Sequence, residues 1–485
     1  MAKIFPFPQP KGLNAVSDQV NMKPEFFPVF KNAYTSEKGL WAQRPGSVKA
    51  SQQIAGALKI ESLVLYRKRD GTVHTIAAAG GALLRKNTDG TWTTIRTGLG
   101  SSIISAATFN DKLVVFNGVN LPFWTDGETW AELANLCTDW SYGDSPKWVI
   151  TYKGRLFAGG RPGARQMIYY CGLQDMNDWI SANNAGYVDL SMQASIASGT
   201  VTGLAVWEGY LVFLMAEEIF VWSWIDPQNQ GLVKVFPVGA PFGRPVGFGN
   251  DLLFASRLGI KSLTRSAKTG ELNIGNLSEN IEPLVLARMK AAGVLSAAIL
   301  PTLRLTLFHM PPSILVYDYV REAWYEWTGL DAAAMLPVDY ELYFGGEGGY
   351  LYKLDQNAAS DDGRAIEFYI ETAWLKMGRI STYKKPLFLK MILGEGALGE
   401  LTVTEQVDFS SFTAFNQTFA ADTGSYWRVA KWRTFYWRGT KSLGLSIPLL
   451  GRGKAVKFGF KHVDNYKPFA VAATELIYNE AGIRP

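Results

Sequence analysis

Cysteine and histidine are scarce in this chain: 2 Cys and 3 His in 485 residues. Cys137 and Cys171 are too few for a disulfide framework, which fits a reducing compartment or a particle assembled in one. His74, His309 and His462 lie in three separate regions, none within metal-ligand spacing of another or of a cysteine, so no metal site is expected. Long apolar runs are also missing. The greasiest stretch, Leu204 to Ile225, is interrupted by Glu208, Glu217 and Glu218, which a membrane-spanning helix would not tolerate. The beginning, Met1-Ala2-Lys3-Ile4-Phe5-Pro6-Phe7-Pro8, has no apolar stretch of signal-peptide length. Gly345-Gly346-Glu347-Gly348-Gly349 lacks the Lys-Ser/Thr and following helix of a phosphate cradle and reads as a turn between strands.

What is abundant is turn and sheet chemistry: 48 Gly, 16 Trp, 21 Tyr and 27 Phe. A polar turn leading into an apolar strand comes back along the chain. It reads Asp70-Gly71-Thr72-Val73, Asn110-Asp111-Lys112-Leu113, Lys153-Gly154-Arg155-Leu156, Glu208-Gly209-Tyr210-Leu211 and Asn250-Asp251-Leu252. Weaker copies follow at Thr302-Leu303-Arg304-Leu305 and Asp339-Tyr340-Glu341-Leu342. Asn, Asp and Gly supply the backbone freedom of a tight hairpin. Seven copies predict about seven four-stranded units arranged radially, an irregular β-propeller. Such a scaffold fixes no chemistry by itself.

A second mark is a polar turn closing on tryptophan: Asp89-Gly90-Thr91-Trp92, Asp126-Gly127-Glu128-Thr129-Trp130, Asn177-Asp178-Trp179 and Arg321-Glu322-Ala323-Trp324. These rings read as staples over the seams between units, because burial of such a ring is worth a few kcal/mol, about 25 cal/mol per Å². A helix is expected after Ser278 as N-cap, with Pro283 in its first turn and Ile281, Leu284, Val285 and Met289 on one face.

The organisation expected is all-β: residues 1–50 as an extended docking arm, 51–375 as the propeller, and 376–485 as a C-terminal β-sandwich-like domain. The last part starts where the repeat is lost and period-two strands begin, such as Ile366-Glu367-Phe368-Tyr369-Ile370. Charge supports a separate C-terminal domain. Net charge is +5, yet 15 Lys/Arg face 6 Asp/Glu between Lys376 and Lys467, leaving 33 against 37 elsewhere. The densest part, Tyr426 to Arg438, interleaves Arg428, Lys431, Arg433 and Arg438 with six aromatics. That pattern can track a nucleic-acid backbone and stack bases, or place cationic stems over rings at a protein contact. Protein contact or a structural role is favoured over direct DNA contact. Lys384-Lys385 and Arg452-Gly453-Lys454 add to the same basic field.

Asp126-Gly127-Glu128-Thr129-Trp130 resembles the aspartate box of sialidase propellers, a turn remote from that family's active centre. A glycan-binding or sialidase-like propeller is therefore the alternative reading, although it needs a converging arginine triad and a Tyr/Glu pair.

The arm carries the more specific likeness. Pro10-Lys11-Gly12-Leu13-Asn14, Asn21-Met22-Lys23-Pro24-Glu25-Phe26, Lys31-Asn32-Ala33-Tyr34 and Gly39-Leu40-Trp41-Ala42-Gln43-Arg44-Pro45-Gly46 follow in order. This order resembles the start of tail hub (nozzle) proteins of short-tailed bacteriophages, including packaged-DNA stabilisation proteins. The resemblance implies a non-enzymatic virion protein assembled in the host cytoplasm, with no cofactor and no membrane. It further implies a homo-oligomeric ring, a hexamer, below the portal and adaptor. That ring would extend the DNA channel, retain the packaged genome, pass it at ejection, and carry fibres or spikes. Asn14, Asn21, Met22, Pro24 and Arg44 are then the candidate adaptor-docking residues. Arg428, Lys431, Arg433, Arg438, Lys384 and Lys385 are the candidate partner or DNA contacts.

Overall fold

The computed structural model describes residues 2–180, 184–195, 198–266, 270–394, 399–410, 413–419, 444–464 and 469–480. Seven four-stranded antiparallel units circle one axis. Five are separate sheets, spanning 60–96, 105–132, 148–189, 201–236 and 246–276, with strands hydrogen-bonded in chain order. The sixth is 296–327. The seventh takes three strands from 334–355 and its outermost from Gly46–Lys49, which pairs antiparallel with Leu351–Asp355. The ring closes where the innermost strand of the seventh blade, Ala334–Val338, meets that of the first, Ile60–Arg67.

The recurring turn joins the first and second strands of each blade. Asn110 and Asp111 both take positive φ (47° and 61°), as do Lys153 and Gly154 (43° and 72°) and Glu208 and Gly209 (49° and 76°). Two consecutive left-handed residues match the right-handed twist of a hairpin, which is why Asn, Asp or Gly recurs there. The strand after each turn is apolar because it is covered on both faces by neighbouring blades. Lys112–Phe116 and Tyr210–Met215 are almost wholly buried.

Five seams have their own apolar cluster, while those on either side of blade six share one core with the arm and the C-terminal sheets. Tyr66, Ile76, Val115 and Phe123 join blades one and two; Phe116, Trp140, Tyr169 and Trp179 join two and three; Val212, Ile219, Leu252 and Phe254 join four and five. The residue just before a turn also reaches the turn of the next blade. Tyr66 Oη donates to Asp111 O (2.6 Å), Tyr152 Oη to Gly209 O (2.5 Å) and Trp207 Nε1 to Asn250 O (2.9 Å).

The closing tryptophans act at seams in different ways. Trp324 is buried and donates Nε1 to Leu277 O (2.8 Å), linking blades six and five. Trp179 is buried between blades two and three. Trp130 is 41 % exposed and instead carries the Arg96 guanidinium of blade one, 4.0 Å from its centroid.

The arm is built into the fold. Val29–Lys31 lies between the outer strand of blade six, Ala323–Trp327, and Arg364–Glu371. Lys3–Pro6 and Trp41–Gln43 both pair with Ala470–Glu480. Two sheets thus form the C-terminal sandwich. One contains Arg364–Glu371, Val456–Asp464, Gly399–Val407 and Thr413–Phe419; the other contains Lys384–Leu393, Gly444–Pro448, Ala470–Glu480 and the arm strands. Phe368, Val403, Phe458 and Phe460 from the first meet Leu389, Met391, Ile447 and Leu476 from the second in one core. The strand Arg364–Glu371 therefore belongs with the C-terminal sheets, so these begin before the boundary expected at 376.

The helix is Glu282–Ala291, with Val285 and Met289 buried. Ser278 is not its cap: the Ser278 hydroxyl accepts the Ile260 N–H (2.9 Å) of a neighbouring strand.

Candidate functional site

The residues that carry the N-terminal motifs lie mostly inside the chain's own fold, where Gly12, Leu13 and Asn14 form a wedge. Gly12 has φ +83°, and a Cβ there would stand 2.6 Å from Trp324 O, so only glycine fits. Leu13 N–H donates to Trp324 O (2.7 Å), and Asn14 Oδ1 accepts the Val16 and Ser17 N–H groups (3.0 and 2.9 Å). Arg44 is the centre of a second cluster. Its Nη1 donates to Pro45 O (2.9 Å) and Asp361 Oδ1 (3.0 Å), Nη2 to Thr328 O (2.8 Å) and Asp361 Oδ2 (2.5 Å), and Nε to Asn32 Oδ1 (3.0 Å). All five guanidinium N–H groups are engaged.

Of the candidate docking residues, Asn14, Met22 and Arg44 are buried and Pro24 is half-buried. Only Asn21 is exposed, and its Oδ1 accepts from Lys376 Nζ (3.4 Å). The arm's polar motif residues are therefore spent on joining blade six, blade seven and the C-terminal sheets. An accessible docking edge is not what they form.

Arg428, Lys431, Arg433 and Arg438 lie outside the described residues. Lys384 is buried, and its Nζ donates to Arg379 O (2.5 Å) and Lys454 O (3.2 Å). Burial holds its pKa below the usual lysine value. It is an internal tie and is not available to DNA or a partner.

The same tie assembles a surface. Lys384 and Gly453 exchange both backbone hydrogen bonds (2.7 and 3.0 Å), which brings together the two basic runs seen in the sequence. Arg379, Lys385, Arg452 and Lys454 are exposed around the half-buried Tyr383 ring. Arg452 and Lys454 lie 5.9 and 5.3 Å from its centroid. None of the four forms a side-chain ion pair among the described residues. Asp408, the nearby acid, is occupied by the Lys454 and Ala455 N–H groups (2.8 and 2.9 Å). Arg379 and Tyr383 carry no sequence motif; their closeness to Lys384-Lys385 is the only signal of them in the sequence.

A cleft of about 580 Å³ opens beside the same sheet, lined by Phe7, Trp41, Lys38, Lys390, Met391 and Glu475 among others. Its floor is apolar, and Lys390 and Glu475 are cross-strand neighbours on its wall.

Among the described residues no group of three or more His, Cys, Asp or Glu converges as a metal site, and no helix is long and apolar enough to cross a membrane. Cys137 and Cys171 are free thiols, both pushed up to about 11 by burial. The aspartate-box-like turns are local Asx turns: Asp126 Oδ1 accepts the Glu128 and Thr129 N–H groups (2.9 and 2.7 Å).

No protein-family model matches this chain. No curated protein matches it either. Solved propellers do align. A streptogramin B lyase is similar at 12% identity with TM-score 0.46, covering 64% of this chain and 97% of that one. The WD40 propeller domain of Doa1 aligns at 13% identity and TM-score 0.41 over 65% of this chain and 97% of its own. YCF48, solved with a D1 peptide, aligns at 15% identity and TM-score 0.43 over 64% and 97%.

Proposed function

We propose that this chain is a structural protein of a short bacteriophage tail, a ring-forming nozzle or hub on the tail axis. In this role it continues the DNA channel below the portal and adaptor, retains the packaged genome and carries fibres or spikes. The observation that carries the reading is the ordered N-terminal series ending in Arg44-Pro45-Gly46, which resembles the start of tail hub proteins. The basic surface around Tyr383, without ion pairs among the described residues, supports it, because a ring on a DNA path needs a face for anionic partners. No catalytic role is assigned to any residue.

Electron microscopy of purified particles tests the proposal. The expected result is this chain as a ring, a hexamer, on the tail axis; its absence from purified virions overturns the reading. Charge reversal of Arg379, Lys385, Arg452 and Lys454 to Glu is expected to lower the yield of DNA-filled particles while leaving the thermal midpoint of the isolated chain nearly unchanged. The same holds for Arg428, Lys431 and Arg433. Normal yields of infectious, DNA-full particles from both variants would remove the basic region from the proposal.

A further inference from the structure

The innermost strands of all seven blades begin on one face of the propeller and line its axis. At that mouth the charged side chains are unequally satisfied. Lys147 immediately precedes the innermost strand of blade three, Trp148–Tyr152, and Arg244 lies two residues before that of blade five, Val246–Phe248. Blade four stands between them, and its Thr202 hydroxyl is already donated to Ala240 O (2.7 Å).

The loop bearing Arg244 crosses that gap. Gly243 has φ +61°, and a Cβ there would lie 2.2 Å from Thr202 O and 3.6 Å from Trp148 Cη2. Phe242 packs on Gly293, where a Cβ would be 2.7 Å from its ring, just before the innermost strand of blade six. The loop is thus wedged between Trp148 and the lead-in to blade six. Arg244 itself has φ +54°, a conformation that a residue with a side chain keeps only when its surroundings impose it.

Several other shielded cations among the described residues are paired or hydrogen-bonded. Arg44 holds Asp361, Arg161 holds Asp144 (2.7 Å), Arg288 holds Glu326 (2.5 Å), and Lys153 and Lys234 donate to backbone carbonyls (2.6 and 2.7 Å). Among the described residues, the Lys147 and Arg244 side chains have neither an ion pair nor a hydrogen bond. Lys147 Nζ lies over the Trp148 ring, 5.1 Å from its centroid. Burial lowers both pKa values, and the Arg244 charge lowers that of Lys147 further. Two neighbouring, partly desolvated cations raise the energy of the folded chain until an anion joins them.

We propose that Lys147 and Arg244 form an oxyanion site at the mouth of the propeller, and that its occupant is a carboxylate side chain on a peptide segment of a partner protein. This goes beyond the tail reading, since it concerns the axis of each single propeller. The geometry favours a slender carboxylate over a nucleic-acid backbone. A backbone is followed by a track of exposed cations, whereas here two shielded ones sit at one side of a rim. On the same face, Glu61 is the second residue of the innermost strand of blade one and Asp331 precedes that of blade seven, with Glu347 held by Lys59 (2.5 Å). A polyanion lying across the mouth meets those acids; a single carboxylate beside Trp148 and Phe242 does not.

The test uses the full chain and three probes: the blocked pentapeptide acetyl-Leu-Gly-Glu-Gly-Leu-amide, its Gln analogue, and a 12-nucleotide oligothymidylate. Titration calorimetry and thermal unfolding are the readouts. The Glu peptide is expected to bind and raise the unfolding midpoint, with the Gln analogue at least tenfold weaker. K147Q/R244Q is expected to lose the response. R244G is the second variant: glycine suits the φ of +54°, so it folds at least as well as the parent while losing the response. No peptide response in the parent, or an equal response in R244G, overturns the site. Oligothymidylate binding that both variants lose would overturn the peptide occupant and assign the cations to nucleic acid.

Discussion

The Arg44 cluster predicts that a single side chain holds three parts of the fold together. Arg44 is 2 % exposed and bridges the arm (Asn32, Pro45), the end of blade six (Thr328) and the lead-in to the C-terminal sheets (Asp361). Arg44→Met keeps the apolar stem and removes five donors. Asp361 then retains the Ser47 hydroxyl (3.0 Å) but loses its counter-charge in a mostly buried setting. Breaking a buried pair from one side costs about 3–5 kcal/mol, because the remaining charge is uncompensated. The effect should be local before it is global, so hydrogen exchange is the suitable measurement. Amides of Val29–Lys31 and Gly46–Lys49 are expected to exchange about 150- to 4000-fold faster, at roughly 1.4 kcal/mol per decade. Adding Asp361→Asn removes the stranded charge, and R44M/D361N should recover part of that loss, a coupling of roughly 1–3 kcal/mol. Exchange in R44M within threefold of the parent would refute the assignment of Arg44 as the joint of these three parts.

Three further outcomes are expected. Tyr66→Phe and Tyr152→Phe each remove one bond to the next blade's turn and should cost about 0.5–1.5 kcal/mol in thermal unfolding; no change in either would mean that these bonds do not stabilise the seams. Gly12→Ala places a Cβ against the Trp324 backbone at φ +83° and should cost more than about 1 kcal/mol, read as faster proteolysis of the arm. His309 is buried and its pKa is held below 6.5, chiefly by desolvation. The unfolded chain therefore binds its proton first, and stability falls as pH drops below about 6.5 through the folded value. His309→Gln should shrink the loss of unfolding midpoint between pH 7.5 and pH 5; an unchanged loss would place the acid sensitivity elsewhere.

The propeller was legible because its signal is local. A turn such as Asn110-Asp111 needs left-handed backbone, and only a few residue types supply it cheaply, so each blade leaves a mark of four residues. The seventh blade was half hidden for the opposite reason. Its outer strand, Gly46–Lys49, pairs with residues some 300 positions later, and no local pattern encodes that partner. The helix was legible in its apolar positions and misplaced in its cap, because Ser278 found a stronger use on the strand beside it. At the basic surface, the sequence showed the two cationic runs but could not tell Lys384 from Lys385. Alternation along Lys384–Leu393 sends the first inward and the second outward. Lys147 and Arg244 were invisible, since each is one ordinary cation ahead of a strand and only the closed ring brings them to one rim.

Building the arm into the fold changes what its motifs can report about assembly. Blades six and seven have their outer edges covered: Val29–Lys31 pairs with the outer strand of blade six, and Ser360–Asp361 pairs with Gly46–Lys49, the outer strand of blade seven. Blades three and four lie across the ring from that junction; among the described residues no strand pairs with their outer strands, Gly186–Asp189 and Gln230–Phe236, which carry the exposed Tyr187 (54 %) and Val233 (45 %), with Met192 (88 %) and Ile225 (66 %) exposed in adjoining turns. Uncovered edges with such residues invite pairing or packing by another chain. Substitutions at Asn14, Met22 or Arg44 act on the fold first, so a loss of assembly in those variants cannot separate docking from closure. Asn21 is exposed, and among the described residues its side chain meets the body through one long bond from Lys376, so among the candidate docking residues it is the one that can report on docking without disturbing the joint.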